Sequence, residues 1–139
     1  GGCLFVKKVA DCMKVGTHGS TFAGSPMAMG FANAVLDVML KPGFDQNILQ
    51  VSKYFFDQLS KIQNKFPKII KEIRGKGLMI GLQFFEEPSK FLKEFYKNKL
   101  ITVKASDNVI RILPPLNVKK KEIDEGIGII KKTLQEYKA

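Results

Sequence analysis

Gly16-Thr17-His18-Gly19-Ser20-Thr21-Phe22-Ala23-Gly24-Ser25-Pro26 lies between a short N-terminal segment and a run of helical periodicity. Gly16, Gly19 and Gly24 permit positive φ and close backbone approach. Ser20 and Thr21 add hydroxyl donors, and Ser25-Pro26 has the order of an N-cap residue followed by an N1 proline. Small residues and hydroxyls gathered just before a helix suit an anion, either a phosphate or a carboxylate. The same residues also suit a plain turn whose hydroxyls only cap the helix. Spacing alone leaves both readings open.

Outward from this turn the chain alternates helix and strand patterns with short connections, an α/β organisation. Leu4-Phe5-Val6 reads as the tail of a strand, with a short helical piece around Lys8 to Met13. From Pro26 to about Leu40, Met27, Ala28, Gly30, Phe31, Ala34, Val35 and Val38 recur at helical spacing, and Lys41-Pro42-Gly43 ends the run. A second helix is predicted from about Asp45 to Lys65, with Ile48, Leu49, Phe55, Leu59, Ile62 and Phe66 on one face. Ile69 to Arg74 and Leu78 to Phe85 read as strands joined around Gly75-Lys76-Gly77. A short amphipathic helix, about Ser89 to Asn98, precedes strands at Leu100 to Val103 and Val109 to Leu113, with Asp107-Asn108 as turn chemistry between them. Pro114-Pro115 stops the last strand. A final helix, about Lys120 to Tyr137, carries Ile123, Ile127, Ile130 and Leu134 on one stripe, with lysines in its first turn against the helix dipole.

Composition bounds the class. The chain has 139 residues, 45% apolar and 26% charged, enough for one ordinary core and unlike a disordered or membrane-embedded chain. No apolar run reaches membrane-spanning length, and the first residues lack the order of a signal peptide, so the expected location is cytoplasmic with no membrane partner. Cys3 and Cys12 suit neither a disulfide framework nor a zinc site and are expected to be packing thiols. The net charge of +10 raises a nucleic-acid reading. Yet only Arg74 and Arg111 of the 23 basic residues are arginine, and no aromatic-plus-basic motif accompanies the scattered lysines, so no nucleic-acid partner is expected. A lysine-rich module that binds polyanions in a salt-sensitive way is the alternative of a different class.

The eleven-residue turn closely resembles the G-x-H-G-S-T-F-G-G-N-P signature of class III pyridoxal-phosphate (PLP) aminotransferases, and is most similar to the acetylornithine branch of that family. Ala34-Val35-Leu36-Asp37-Val38, Ile73-Arg74-Gly75-Lys76-Gly77-Leu78-Met79-Ile80-Gly81 and Asp107-Asn108-Val109-Ile110-Arg111-Ile112-Leu113-Pro114-Pro115-Leu116 follow in the family's order. The resemblance implies the C-terminal third of a fold-type I PLP enzyme: residues 1–40 a remnant of the large cofactor domain with a bridging helix, and 41–139 a small C-terminal domain. That domain is expected to hold a short, mostly antiparallel sheet packed with helices. The family's cofactor-bearing lysine falls a few residues before the segment matched by Gly1-Gly2-Cys3-Leu4, so the resemblance implies that this polypeptide alone is inactive. A split or truncated gene product that only packs against a separate N-terminal chain is a further alternative.

By the same resemblance Thr21 donates to the phosphate of PLP bound mainly by the neighbouring subunit of a homodimer. Ser20 meets the acyl-ornithine substrate, and Arg111 holds a substrate carboxylate. The implied partners are small amino-acid and 2-oxo-acid substrates, and the implied pathway is arginine biosynthesis; no metal is implied. From the residues alone, alternation on a strand puts Arg111 on the face opposite Ile110 and Ile112, where it is either functional or merely solvated. His18 reads as a loop-shaping residue, Arg74 and Gly75 as structural, and Glu86-Glu87 as solvated charge. Ala23 and Ser25 depart from the family's glycine and asparagine. Alanine at a positive-φ position implies strain, whereas serine keeps N-cap chemistry.

Overall fold

The computed structural model describes residues 2–137. The chain forms two compact units, Gly1–Phe44 and Asp45–Ala139.

The first unit contains α1 (Lys7–Ala10) and α2 (Pro26–Met39), joined by the glycine-rich turn. Leu4-Phe5-Val6 is not a strand. A strand needs a neighbour for its backbone groups, and this unit holds none among the described residues. Cys3 and Cys12 are exposed free thiols, so the packing role expected of them does not hold within this unit. Neither helix buries a residue, and Met27, Phe31, Val35 and Val38 of α2 are exposed. A helix with an apolar stripe and nothing against it gains little from packing. Limited proteolysis followed by mass spectrometry is therefore expected to remove residues up to about Phe44 and leave a resistant piece that begins in α3. Even cleavage along the whole chain would contradict this.

The second unit is built from α3 (Phe44–Lys65), β1 (Ile70–Lys76), β2 (Met79–Phe84), α4 (Ser89–Lys97), β3 (Val103–Ala105), β4 (Val109–Ile112) and α5 (Lys120–Glu136). All strand pairs are antiparallel, in the order β1-β2-β4-β3. Alternation decides the faces. Ile80, Leu82 and Phe84 of β2 and Ile110 and Ile112 of β4 join Phe55, Leu59 and Ile62 of α3, Phe91 and Phe95 of α4, and Ile123, Ile130 and Leu134 of α5 in one buried cluster. On α3 the buried stripe includes Val51, whereas Leu49 lies outside it, exposed. The unit is a small mixed α/β domain with an antiparallel sheet.

Local chemistry fixes the element ends. Gly75 adopts φ +150°, and a Cβ there would lie 2.1 Å from the Met79 carbonyl oxygen, so the β1–β2 hairpin admits only glycine at that position. Lys99 turns left-handed after α4, and the Leu100 N–H closes the helix onto the Phe95 carbonyl at 2.8 Å. That closure consumes residues expected to begin a strand, which is why β3 starts at Val103 rather than Leu100. Asp107 and Asn108, at φ 60° and 57°, form the β3–β4 turn. At α5 the Glu122 carboxylate accepts the Lys119 N–H at 2.8 Å, which offsets the lysines of the first turn.

Glu87 is not merely solvated. Its carboxylate accepts from the Lys104 ammonium of β3, from the Ser89 hydroxyl at 2.6 Å and from the Ser89 N–H at 3.0 Å. These donors, Lys104 foremost, hold its pKa at about 2, far below the usual carboxylate range. The folded value lies below the unfolded one, so the tie stabilises the fold above about pH 4.5 and is lost as pH falls toward 2. Acid titration of stability is expected to be shallower in Glu87→Gln over that window. An unchanged slope would show that the tie contributes nothing.

Candidate functional site

The glycine-rich turn supplies the first group of candidates. Gly16 and Gly24 adopt φ +89° and +73°; Gly19 does not use its freedom. Ala23 does not have positive φ, so the strain expected there is absent and the left-handed position falls on Gly24 instead. Ser25 occupies the N-cap position ahead of Pro26 and its carbonyl accepts the Met29 N–H at 3.0 Å, but its side chain makes no capping hydrogen bond. Among the described residues the hydroxyls of Ser20 and Thr21 have no protein partner, whereas Thr17 is occupied by Lys14, accepting from its N–H at 3.1 Å and donating to its carbonyl at 2.7 Å. Adjacent free hydroxyls in a glycine-rich turn that runs into the N-terminus of a fourteen-residue helix are chemically fit for a phosphate dianion. His18 is exposed in the same turn.

Arg111 lies in the second unit, in the middle of β4. It is exposed, while Ile110 and Ile112 on either side are buried, so it projects from the sheet face opposite the core. The register sets it between Gly81 on β2 and Val103 on β3. No carboxylate lies within ion-pair distance of it among the described residues. A guanidinium held on a rigid strand, beside a residue with no side chain and without an internal partner, is arranged to take a carboxylate from outside.

Arg74 belongs to the same face. It is paired with Gly81 from the other side and contacts Glu72 at 3.7 Å and Asp107 at 3.9 Å. Gln83, next along this face, donates from Nε2 to the Asp107 carbonyl at 3.1 Å, which anchors the turn leading into β4. Sequence reading assigned Arg74 a structural part and missed Gln83. Residue types gave no hint of Gln83, since only the strand register brings it to that turn.

The aminotransferase class-III family model matches residues 2–134. The chain belongs to this family. It is 41% identical over 128 residues to acetylornithine aminotransferase 1 of Bradyrhizobium diazoefficiens, a match spanning 92% of this chain and 32% of that protein. It is 35% identical over its full 139 residues to acetylornithine aminotransferase 2 of Caulobacter vibrioides, covering 34% of it. Among solved structures, acetylornithine aminotransferase from Elizabethkingia anophelis superposes with a TM-score of 0.80 at 29% identity over 93% of this chain and 33% of that one. Ornithine aminotransferase from Toxoplasma gondii gives 0.78 at 28% identity over 91% and 31%. The class-III chain thus spans about a third of the relatives it matches. Among the described residues no helix is long and apolar enough to cross a membrane, and no cluster of His, Cys, Asp or Glu is placed to hold a metal.

Proposed function

We propose that the chain is the C-terminal part of a PLP-dependent aminotransferase that moves an amino group between N-acetylornithine, or a related ω-amino acid, and 2-oxoglutarate in arginine biosynthesis. The observation that carries this reading is Arg111, an exposed guanidinium without an internal carboxylate, on a strand motif of the matched family. The relatives named for acetylornithine support the choice of donor. Residues 1–40 are read as a remnant of the large cofactor domain with its bridging helix and 41–139 as the small C-terminal domain. The enzyme is read as a cytoplasmic homodimer.

PLP, when bound, supplies an electron sink for the amino-acid carbon that loses its proton. The residues of this chain bind and orient. Thr21 donates its hydroxyl to the cofactor phosphate, Ser20 meets the acyl end of the donor, and Arg111 grips a substrate carboxylate so that the reacting carbon is presented in one orientation. None of them moves a proton. The lysine that carries the cofactor in this family has no counterpart in these residues, so the 139-residue polypeptide by itself is expected to have no transaminase turnover and to retain no cofactor after borohydride treatment. Glutamate formation from N-acetylornithine and 2-oxoglutarate, assayed with the polypeptide alone and with it joined to an N-terminal large domain, tests this. Turnover by the polypeptide alone, or none in the joined form, contradicts the reading.

A further inference from the structure

We propose that the groove between α4 and α5 is a binding site for a free α-amino acid with an apolar side chain. The groove encloses about 250 Å³, roughly eight liquid-water volumes, which suits a molecule the size of leucine. One wall is Lys90, Phe91 and Glu94 of α4; the other is Thr133 and Glu136 of α5 and, just past that helix, Tyr137. The Tyr137 ring packs on Phe91 with centroids 4.7 Å apart, and Phe91 stacks in turn on buried Phe84. Two aromatic surfaces are thereby fixed where they can cover an aliphatic chain. The proposal does not rest on the role of Arg111, which leaves the sheet on the face opposite these helices.

Thr133 points to a ligand. It is only 4% exposed, and among the described residues its Oγ1 is buried without a hydrogen-bond partner. Buried hydroxyls are ordinarily paired, and an orphan one weakens the fold until a partner arrives. An ammonium in the groove supplies that donor, with the Glu136 carboxylate beside it; Glu136 has only exposed Lys132 at 3.9 Å, which an ammonium displaces at little cost. Lys90 calls for the opposite charge. Glu94, one turn on, pairs with Lys97 at 2.6 Å, and Lys90 has no carboxylate within ion-pair distance among the described residues. Backbone polarity runs the same way. The first turn of α4 carries no acidic residue and the last turn of α5 no basic one, so the groove joins the positive end of one helix dipole to the negative end of another. A zwitterion laid along it has its carboxylate toward Lys90 and the start of α4, and its ammonium toward Thr133, Glu136 and the end of α5.

Leucine, its deaminated analogue isocaproate and its decarboxylated analogue isoamylamine are titrated into the full 139-residue chain at constant ionic strength. The NMR readouts are the Thr133 methyl signal, identified as the one missing from Thr133→Val, and the ring signals of Tyr137. Leucine is expected to move both with one midpoint, about tenfold or more below that of either analogue, the loss of one charge-assisted hydrogen bond. Lys90→Gln is expected to raise the leucine midpoint to that of the amine while leaving amine binding unchanged. Lys90 is exposed, so this variant leaves the core alone. Thr133→Val, of the same shape and read at Tyr137, is expected to bind leucine about fivefold or more weakly. Its thermal midpoint should be no lower than the parent's, because the change removes an orphan polar group. Equal leucine midpoints in Thr133→Val and the parent, or in Lys90→Gln and the parent, overturn the site. If either analogue binds as tightly as leucine, the groove is a simple ion or apolar crevice and the amino-acid assignment is overturned. If neither signal moves with leucine, the proposal fails outright.

Discussion

Replacing Arg111 by glutamine in the joined, active enzyme is expected to lower kcat/KM for both amino donor and 2-oxo acid by roughly 30- to 4,000-fold, the equivalent of about 2–5 kcal/mol for losing one side of a hydrogen-bonded charge pair. The physical basis is the geometry of β4. The buried neighbours Ile110 and Ile112 fix the strand and so the direction in which the Arg111 side chain leaves it. Among the described residues no carboxylate pairs with it, which leaves the guanidinium available to the proposed substrate carboxylate. Glutamine keeps the polarity but loses charge and fork; lysine keeps the charge and is expected to recover only part of the loss. Arg111 is exposed, so the fold should not report the change: thermal midpoints of the variants should match the parent closely. A kinetic effect below threefold would remove Arg111 from the substrate site.

Much of this fold is legible because period and punctuation agree. In α5, Ile123, Ile130 and Leu134 fall at helical spacing and are buried, and Gly75 fits the only backbone conformation the β1–β2 hairpin allows. Legibility fails where backbone pairing decides. Leu4-Phe5-Val6 has strand composition and no strand beside it. Leu100 has strand composition too, but its N–H closes α4. Leu49 has core composition and lies one step off the stripe of α3, whose buried line runs through Val51 and Phe55. The candidate site divides the same way. Ser20, Thr21 and Arg111 stand in motifs, which is what makes them candidates from the sequence. The Arg74–Gly81–Arg111 row is not legible there, because it joins positions on three strands that only the sheet register aligns. Glu87 was read as solvated charge because its partner Lys104 is distant in sequence and is brought to it only by the fold.

Thr21→Ala is expected to weaken PLP retention in the joined enzyme by about 1.5–3 kcal/mol, the range for a hydrogen bond to a charged group, or roughly 10- to 150-fold in dissociation constant. The Thr21 hydroxyl has no protein partner among the described residues, and the side chain is exposed, so the variant creates no cavity and strands no internal donor. Its cost falls on the phosphate alone. Thr21→Ser keeps the hydroxyl and should retain cofactor nearly as the parent does, while Thr21→Val keeps the shape and should behave like alanine. Ser20→Ala, one residue away, serves as the contrast: its expected effect is on KM for the acylated donor, with cofactor retention largely intact. Dialysis against PLP-free buffer, followed by the cofactor's visible absorbance, separates these outcomes. Equal retention in Thr21→Ala and the parent would mean that the glycine-rich turn only leads into α2, the plain-turn alternative that residue spacing had left open.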